Sequence, residues 1–528
     1  MRGTVGYYIT LCSLLFSLGT SGQLRADDDR GRQVFQEQRQ EILLNLRHEI
    51  SQLSKQCHDD GLLNAAQDLT SLSVDLTTQG TGDELPSAVQ LPISRQLPDL
   101  EQAWRFRLKK LREDRAVEMY SLARKCLRNN QPSLAYNMIG DVLRLNPDHK
   151  YARAVLGQQL FVDRLRNDEP AYAGEWVSPF EASKRSGASP QVDHPSFGWI
   201  PVNHVAQYES GKRPWRGDWV TVQKEAGFRQ RFENAWEIRS ENFLVKTNTS
   251  LEEGVAISRR LERFHQWLKT NIAAFFDTPE ALQKKFDQAR VIRRSRGDKN
   301  QMEVYYFATR DEYNRRLKGK IPAGRVTNGV YWEPDKRCYF FRNADDPDQR
   351  TVFHEATHQI LDLATREERL AAARVRRRVL RLPTTQYWRL CEKSNFWIIE
   401  GLASYFESFE INDGGVRVGD PNFIRFAGAK KRVLEDGFFI PLRTFCALGQ
   451  EHFMSHPNVA QFYTQSSGVA HFLLHYKDGI YRDSLVKLLS EVYRPDLKNI
   501  TQEPSLEKHT SAVFEVLDQQ YRDHLSGL

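Results

Sequence analysis

The segment Thr351-Val352-Phe353-His354-Glu355-Ala356-Thr357-His358-Gln359-Ile360 constrains this chain more than any other. Two histidines four apart stand one above the other on a helix, so both imidazoles can reach a single tetrahedral ion. Glu355 lies beside the first of them, where its carboxylate can take a proton from metal-bound water. Val352, Phe353, Ile360, Leu361 and Leu363 supply apolar flanks, so the spacing predicts a helix buried on one side. A catalytic zinc needs three protein ligands and one open position. The stretch Asn395-Phe396-Trp397-Ile398-Ile399-Glu400-Gly401-Leu402-Ala403-Ser404-Tyr405-Phe406 begins 37 residues after His358 and is helical and apolar around Glu400. A lone carboxylate in such a segment is explained by a bound cation, or by an ion pair with one of the nearby arginines. Gly401 and Ala403 leave room for close helix approach.

The pair HExxH and W-x-x-E-G-x-A-x-Y resembles the gluzincin clan of metallopeptidases, which includes thermolysin-like and aminopeptidase N-like enzymes. The likeness is greatest to exported bacterial proteins that carry a peptidase-MA-like domain behind a helical N-terminal region. It runs loosely from Trp236 to about Leu489 and tightly only at the two motifs. The resemblance implies one Zn2+ per chain, held by His354, His358 and Glu400, with Glu355 as general base. It also implies a role for Tyr463, on Tyr463-Thr464-Gln465-Ser466-Ser467-Gly468, as donor to the oxyanion of the transition state; His471 is an alternative donor. Asp362 and Ser404, each one turn beyond a ligand, are candidates to orient the ligands. The strand-like run Cys338 to Phe341 is, by analogy, an edge that could pair with an extended peptide. No G-x-M-E-N-like element precedes His354, which points away from an aminopeptidase.

The rest of the chain predicts an α+β fold, mainly helical, in four parts. Residues 1–22 read as a signal peptide: Arg2, then a mostly apolar Val5 to Leu18, then small residues. The expected location is therefore exported (periplasmic, cell-envelope or extracellular), with no membrane span after the signal. Residues 23–168 carry a helical pattern, with Ile42, Leu46, Ile50 and Leu53 on one face and a long loop over 74–98. Within it, Met119, Leu122, Ala123, Cys126, Ala135, Ile139 and Pro147 match the spacing of one tetratricopeptide-like hairpin. Such a region could bind a protein partner. Residues 169–235, rich in Gly, Pro and Trp, suggest a small β-rich linker module. From 236 to 528, strands precede helices, as an α+β catalytic domain requires. Trp236-Glu237-Ile238, Phe243-Leu244-Val245 and Val304 to Phe307 read as strands, and Val330-Tyr331-Trp332 forms a hairpin with Cys338 to Phe341 across Pro334-Asp335. Ser250-x-x-Glu253 and Thr309-x-x-Glu312 are helix-opening capping boxes.

Charge and cysteine content exclude other classes. The net charge of +7 is a small excess over 75 basic and 68 acidic residues, and with no nucleic-acid motif it argues against a nucleic-acid partner. Seven arginines between Arg366 and Arg381 fit a solvated helix face, or a face that steers acidic substrates. Cys57, Cys126, Cys338, Cys391 and Cys446 are too widely spaced for a metal knuckle or a disulfide framework. The expected activity is zinc-dependent hydrolysis of a peptide or protein substrate. The alternatives are an interaction scaffold with a structural or vestigial metal site, and a zinc hydrolase of a non-protein ester or amide.

Overall fold

In a computed structural model the described residues are 7–75, 93, 97–163, 174–290, 301–321, 327–346, 349–379, 381, 390–412, 415–494 and 503–528. The chain is mainly helical, with one mixed five-stranded sheet and four two-stranded ribbons among these residues. The expected α+β class holds in that form.

The sheet runs in the order Gly329–Trp332, Arg337–Phe341, Met302–Phe307, Phe243–Thr247, Trp236–Arg239. Its two middle pairings are parallel and its outer pairs are antiparallel hairpins. Alternate burial along Phe243–Thr247 is what a covered sheet face demands of apolar and β-branched residues. Both predicted helix starts carry their N-cap bond: Ser250 Oγ accepts from Glu253 N at 3.0 Å and Thr309 Oγ1 from Glu312 N at 3.3 Å, while the carboxylates of Glu253 and Glu312 pair with Arg342 and Asn248 instead of closing a capping box. The helices they open, Leu251–Asn271 and Arg310–Leu317, connect the strands. Cys338 to Phe341 is interior, between two strands, so the edge beside the HExxH helix is Gly329–Trp332 instead. Among the described residues the remaining chain after Arg350 is helical apart from one small ribbon, Glu410–Asn412 with Gly415–Arg417.

The N-terminal helices are Tyr7–Asp59, Leu63–Asp75, Asp99–Arg128 and Pro132–Leu145. The expected signal segment enters the first of these at Tyr7, and its side chains lie outside the described residues, as does most of the loop over 74–98. Among the described residues no helix is long and apolar enough to cross a membrane. Leu46, Ile50, Leu53, Ala123 and Ala135 are buried, as their spacing predicts. What the spacing does not predict is where the hairpin docks. Its core is completed by Ala273, Leu282 and Phe286 from beyond residue 236. Tyr120 donates to Phe286 O at 2.6 Å, and Ser133 Oγ donates to Asp483 at 2.5 Å. Part of the hairpin's surface is thus packed on its own chain.

The expected β-rich module is three tandem units, each a two-stranded ribbon followed by a short helix. The first joins Gln159–Phe161 to Glu175–Val177 and Pro179–Arg185, so it starts before the expected boundary at 169. The second uses Gln191–His194, Gly198–Pro201 and Val205–Glu209; the third uses Lys212–Trp215, Asp218–Thr221 and Val222–Arg229. Each second strand carries a tryptophan (Trp176, Trp199, Trp219), and two of them pack edge-on against the previous unit's helix. Trp199 meets Phe180 with ring centres 6.0 Å apart, and Trp219 meets Tyr208 at 6.1 Å. Trp236, opening the five-stranded sheet, continues the ladder beneath Arg229. Each unit is too thin to bury its own tryptophan, and neighbours cover it only in part: Trp176 and Trp199 are half-buried and Trp219 stays exposed.

Among the residues whose side chains are described, Cys57, Cys126, Cys338, Cys391 and Cys446 are all free and buried, small hydrophobes in practice.

Candidate metal centre

The HExxH helix, Arg350–Val379, begins where Asp346 accepts from Arg350 N at 2.9 Å and from Thr351 N at 3.0 Å. These bonds satisfy two of the amides a helix start leaves open. Val352, Phe353, Ala356, Ile360 and Leu361 are buried, leaving His354, Glu355 and His358 half-buried on another face. The second helix, Phe396–Phe406, is so apolar that from Asn395 to Phe409 only Glu400 and Glu407 escape full burial. Seven residues apart, two helical turns, they project from the same face. Gly401 does permit a close approach, but to a third helix: a Cβ there would lie 2.6 Å from Ser466 O on Val459–Gly479.

The two helices bring three ligand atoms together. His354 Nε2 lies 3.5 Å and His358 Nε2 3.9 Å from Glu400 Oε2, and the three groups offer atoms all within 4.8 Å of one another. Ligands about 2.1 Å from a tetrahedral zinc stand about 3.4 Å from each other, so the donor set fits the ion in kind and in size. The other nitrogen of His354, Nδ1, is 2.9 Å from Glu407 Oε1. Arg425 in turn donates to both oxygens of Glu407 at 2.9 Å. An imidazole oriented by a carboxylate through its second nitrogen is the usual arrangement behind a metal-binding histidine.

The electrostatics follow from these partners. Burial pushes the pKa of His354 down, but its hydrogen bonds to Glu400 and Glu407 outweigh this and raise it to about 10. His358 has no carboxylate in hydrogen-bond contact, and burial lowers its pKa against the raising pull of Glu400 and Glu355. Burial works to raise Glu400, yet the hydrogen bond with His354 and the nearby His358 and Tyr463 hold it below the ordinary carboxylate value. Glu407 is lowered in the same way, against burial, by His354 and Arg425. A field that draws a proton so firmly onto His354 is one that would also draw a divalent cation, which would release that proton on binding.

The remaining predicted residues divide. Tyr463, half-buried, reaches the cluster: its hydroxyl hydrogen-bonds the Glu400 carboxylate and also lies 3.6 Å from Met454 Sδ. Glu355 sits beside both histidines, and its Oε2 accepts from the backbone N–H of Tyr331 at 2.7 Å. Asp362 does not orient a ligand; it accepts from Tyr331 Oη at 2.5 Å and from Arg366 at 2.9 Å, and pairs with Arg369. So two of the seven arginines hold one buried carboxylate rather than forming a solvated face. Ser404 is buried with no hydrogen-bond partner for its hydroxyl, and Glu407 takes the orienting position expected of it. His471 is elsewhere, bound to His524 and Gly419, and cannot serve as an oxyanion donor here. The residues that sequence reasoning missed are Glu407, Arg425 and Tyr331; a second carboxylate seven residues after Glu400 was the available signal for the first.

Set against known proteins, the chain matches no family model, no curated protein and no solved structure.

Proposed function

We propose that this chain is a gluzincin-type zinc metallopeptidase that hydrolyses peptide bonds, with His354, His358 and Glu400 as ligands and Glu355 as general base. The observation that carries the reading is the meeting of two imidazoles and one carboxylate, from two separate helices, at ligand spacing. A zinc ion bound there would polarise a substrate carbonyl and bring the pKa of water near neutrality. Glu355, beside both histidines, would take the proton of the attacking water at its carboxylate and return it to the departing amine. The Tyr463 hydroxyl, next to Glu400, would donate to the oxygen on which charge develops. Glu407 and Arg425 would hold His354 with Nε2 facing inward.

The expected partners are one Zn2+ and a peptide or protein substrate; export rests on the N-terminal sequence pattern. A scaffold with a vestigial metal site is the weaker reading; the grouping of His354, His358 and Glu400, with Glu355 beside the histidines and Glu407 behind His354, supports the active one. Replacing Glu355 by Gln should leave bound zinc unchanged and lower cleavage of a broad peptide panel by about 100- to 10,000-fold, the span of general-base contributions. Undiminished turnover by the purified variant would refute the base assignment. Turnover of esters but of no peptide would move the substrate class.

A further inference from the structure

Glu355 is tied to the sheet. Gly329–Trp332 is the edge strand, paired on one side with Arg337–Phe341 through Val330↔Tyr339 and Tyr331↔Cys338. The N–H of Tyr331 points the other way, toward the HExxH helix, and donates to Glu355 Oε2 at 2.7 Å. The approach is close because residue 329 is glycine: a Cβ there would lie 2.7 Å from Thr351 Cγ2 and 2.8 Å from the Phe340 ring. The same tyrosine reaches the helix a second time, two turns on, where its hydroxyl donates to Asp362 Oδ2 at 2.5 Å. Asp362 is fixed in place by Arg366 and Arg369. One residue of the edge strand thus grips helix positions 355 and 362, which lie on one face.

We propose that Tyr331 is the positioning residue for the general base, and that Glu355 in its resting place caps the sheet edge. This rests on the peptidase reading for its consequence but not for its test. The amide fixes one carboxylate oxygen, Oε2, so that the group's direction is set by the strand rather than by a free side chain. An unpaired edge amide is a template for strand addition. Here that amide already has an acceptor, so an extended peptide pairing at Tyr331 must take the N–H from Glu355. Occupation of the edge and release of the base toward the reacting centre then become one event, which favours substrates that enter as strands.

The test is amide hydrogen exchange at single-residue resolution on the full chain loaded with zinc, with zinc content measured on the same samples. The Tyr331 amide should be protected in the wild type, and should exchange at least about tenfold faster in Glu355→Ala. Val330 and Trp332, whose amides face the ladder, should be unchanged. Glu355→Gln, which keeps an acceptor oxygen, should recover most of the protection. Tyr331→Phe should keep the amide protected while losing only the hydroxyl contact to Asp362. Exchange at Tyr331 that is indifferent to Glu355→Ala, or that rises equally at all three residues, would overturn the proposal, as would Glu355→Gln behaving like Glu355→Ala. Wild-type chain without stoichiometric zinc would defeat the peptidase reading alone, leaving the exchange result to decide this one.

Discussion

Two histidine pairs in this molecule share one spacing and have opposite surroundings. His354 and His358 are four apart, and so are His471 and His475. The first pair faces Glu400, and Glu407 stands behind it. The second is stacked, ring centres 4.4 Å apart, in a site whose hydrogen-bond partners are neutral. His471 Nε2 donates to Gly419 O at 3.1 Å, so its Nδ1 must accept from His524 Nε2 at 2.8 Å; Tyr405 Oη lies 2.6 Å from His475 Nε2. Gly419 is required there, since its φ is +75° and a Cβ would meet His475 Nε2 at 2.5 Å. The outcome is opposite protonation at His354 and at the second pair, while His358 is lowered by burial as the second pair is. Two carboxylates raise His354 to about 10, whereas burial lowers His471 and His524 to about 4; burial also lowers His475 well below its ordinary value, with the neighbouring histidines and Arg482 adding to the effect there. Spacing alone therefore places two imidazoles on a face; the carboxylate decides whether that face attracts a cation or excludes one.

The largest effect that would break this contrast lies in pH. His471, His475 and His524 have folded pKa values below the ordinary 6.5, so the unfolded chain binds more protons between about 4 and 6.5. Stability from this cluster is complete above about 6.5 and falls as pH drops toward 4, by several kcal/mol in all. His354 has the opposite sign in metal-stripped protein: its contribution is present below about 6.5 and is lost as pH rises through about 10. Urea midpoints across pH should show the acid loss diminished in a His471→Gln, His475→Gln double variant and the alkaline loss absent in His354→Gln. An acid limb unchanged in the double variant would mean that other groups control it.

A smaller effect should follow from Glu407. Glu407→Gln keeps the shape but removes the charge behind His354, and zinc affinity should fall about 10- to 100-fold by chelator competition. An equal fall on His475→Gln would erase the distinction between the pairs. Smaller again, Tyr405→Phe leaves Nε2 of the half-buried His475 without its tyrosine partner and should cost about 1–3 kcal/mol in urea unfolding, with zinc affinity unmoved.

The same contrast shows which parts of the molecule could be read in advance. His354, His358 and Glu400 were legible because each motif is local, a few residues within one helical turn. The N-caps at Ser250 and Thr309 and the strands they follow were legible for the same reason. Tyr331 was not, because its role depends on which strand lies at the edge, and the order of strands is set by pairing between distant segments. The analogy to Cys338–Phe341 failed for that reason. His471 looked like a site residue on pattern, but Gly419 and His524, 52 and 53 residues away, claim both its nitrogens. The tandem units have no fixed period in the sequence, because Trp176, Trp199, Trp219 and Trp236 are separated by 23, 20 and 17 residues, a shrinking interval. The N-terminal hairpin was visible in its helices, while its docking on Leu282 and Phe286 was written in surface shape rather than in sequence pattern.

Bound zinc per chain, measured after dialysis on the wild type, Glu400→Ala, His358→Ala and His475→Gln, tests the central contrast most directly. One equivalent is expected in the wild type and in His475→Gln, and close to none in Glu400→Ala and His358→Ala. Zinc retained in full by a folded Glu400→Ala chain, or zinc lost equally in His475→Gln, would contradict the account.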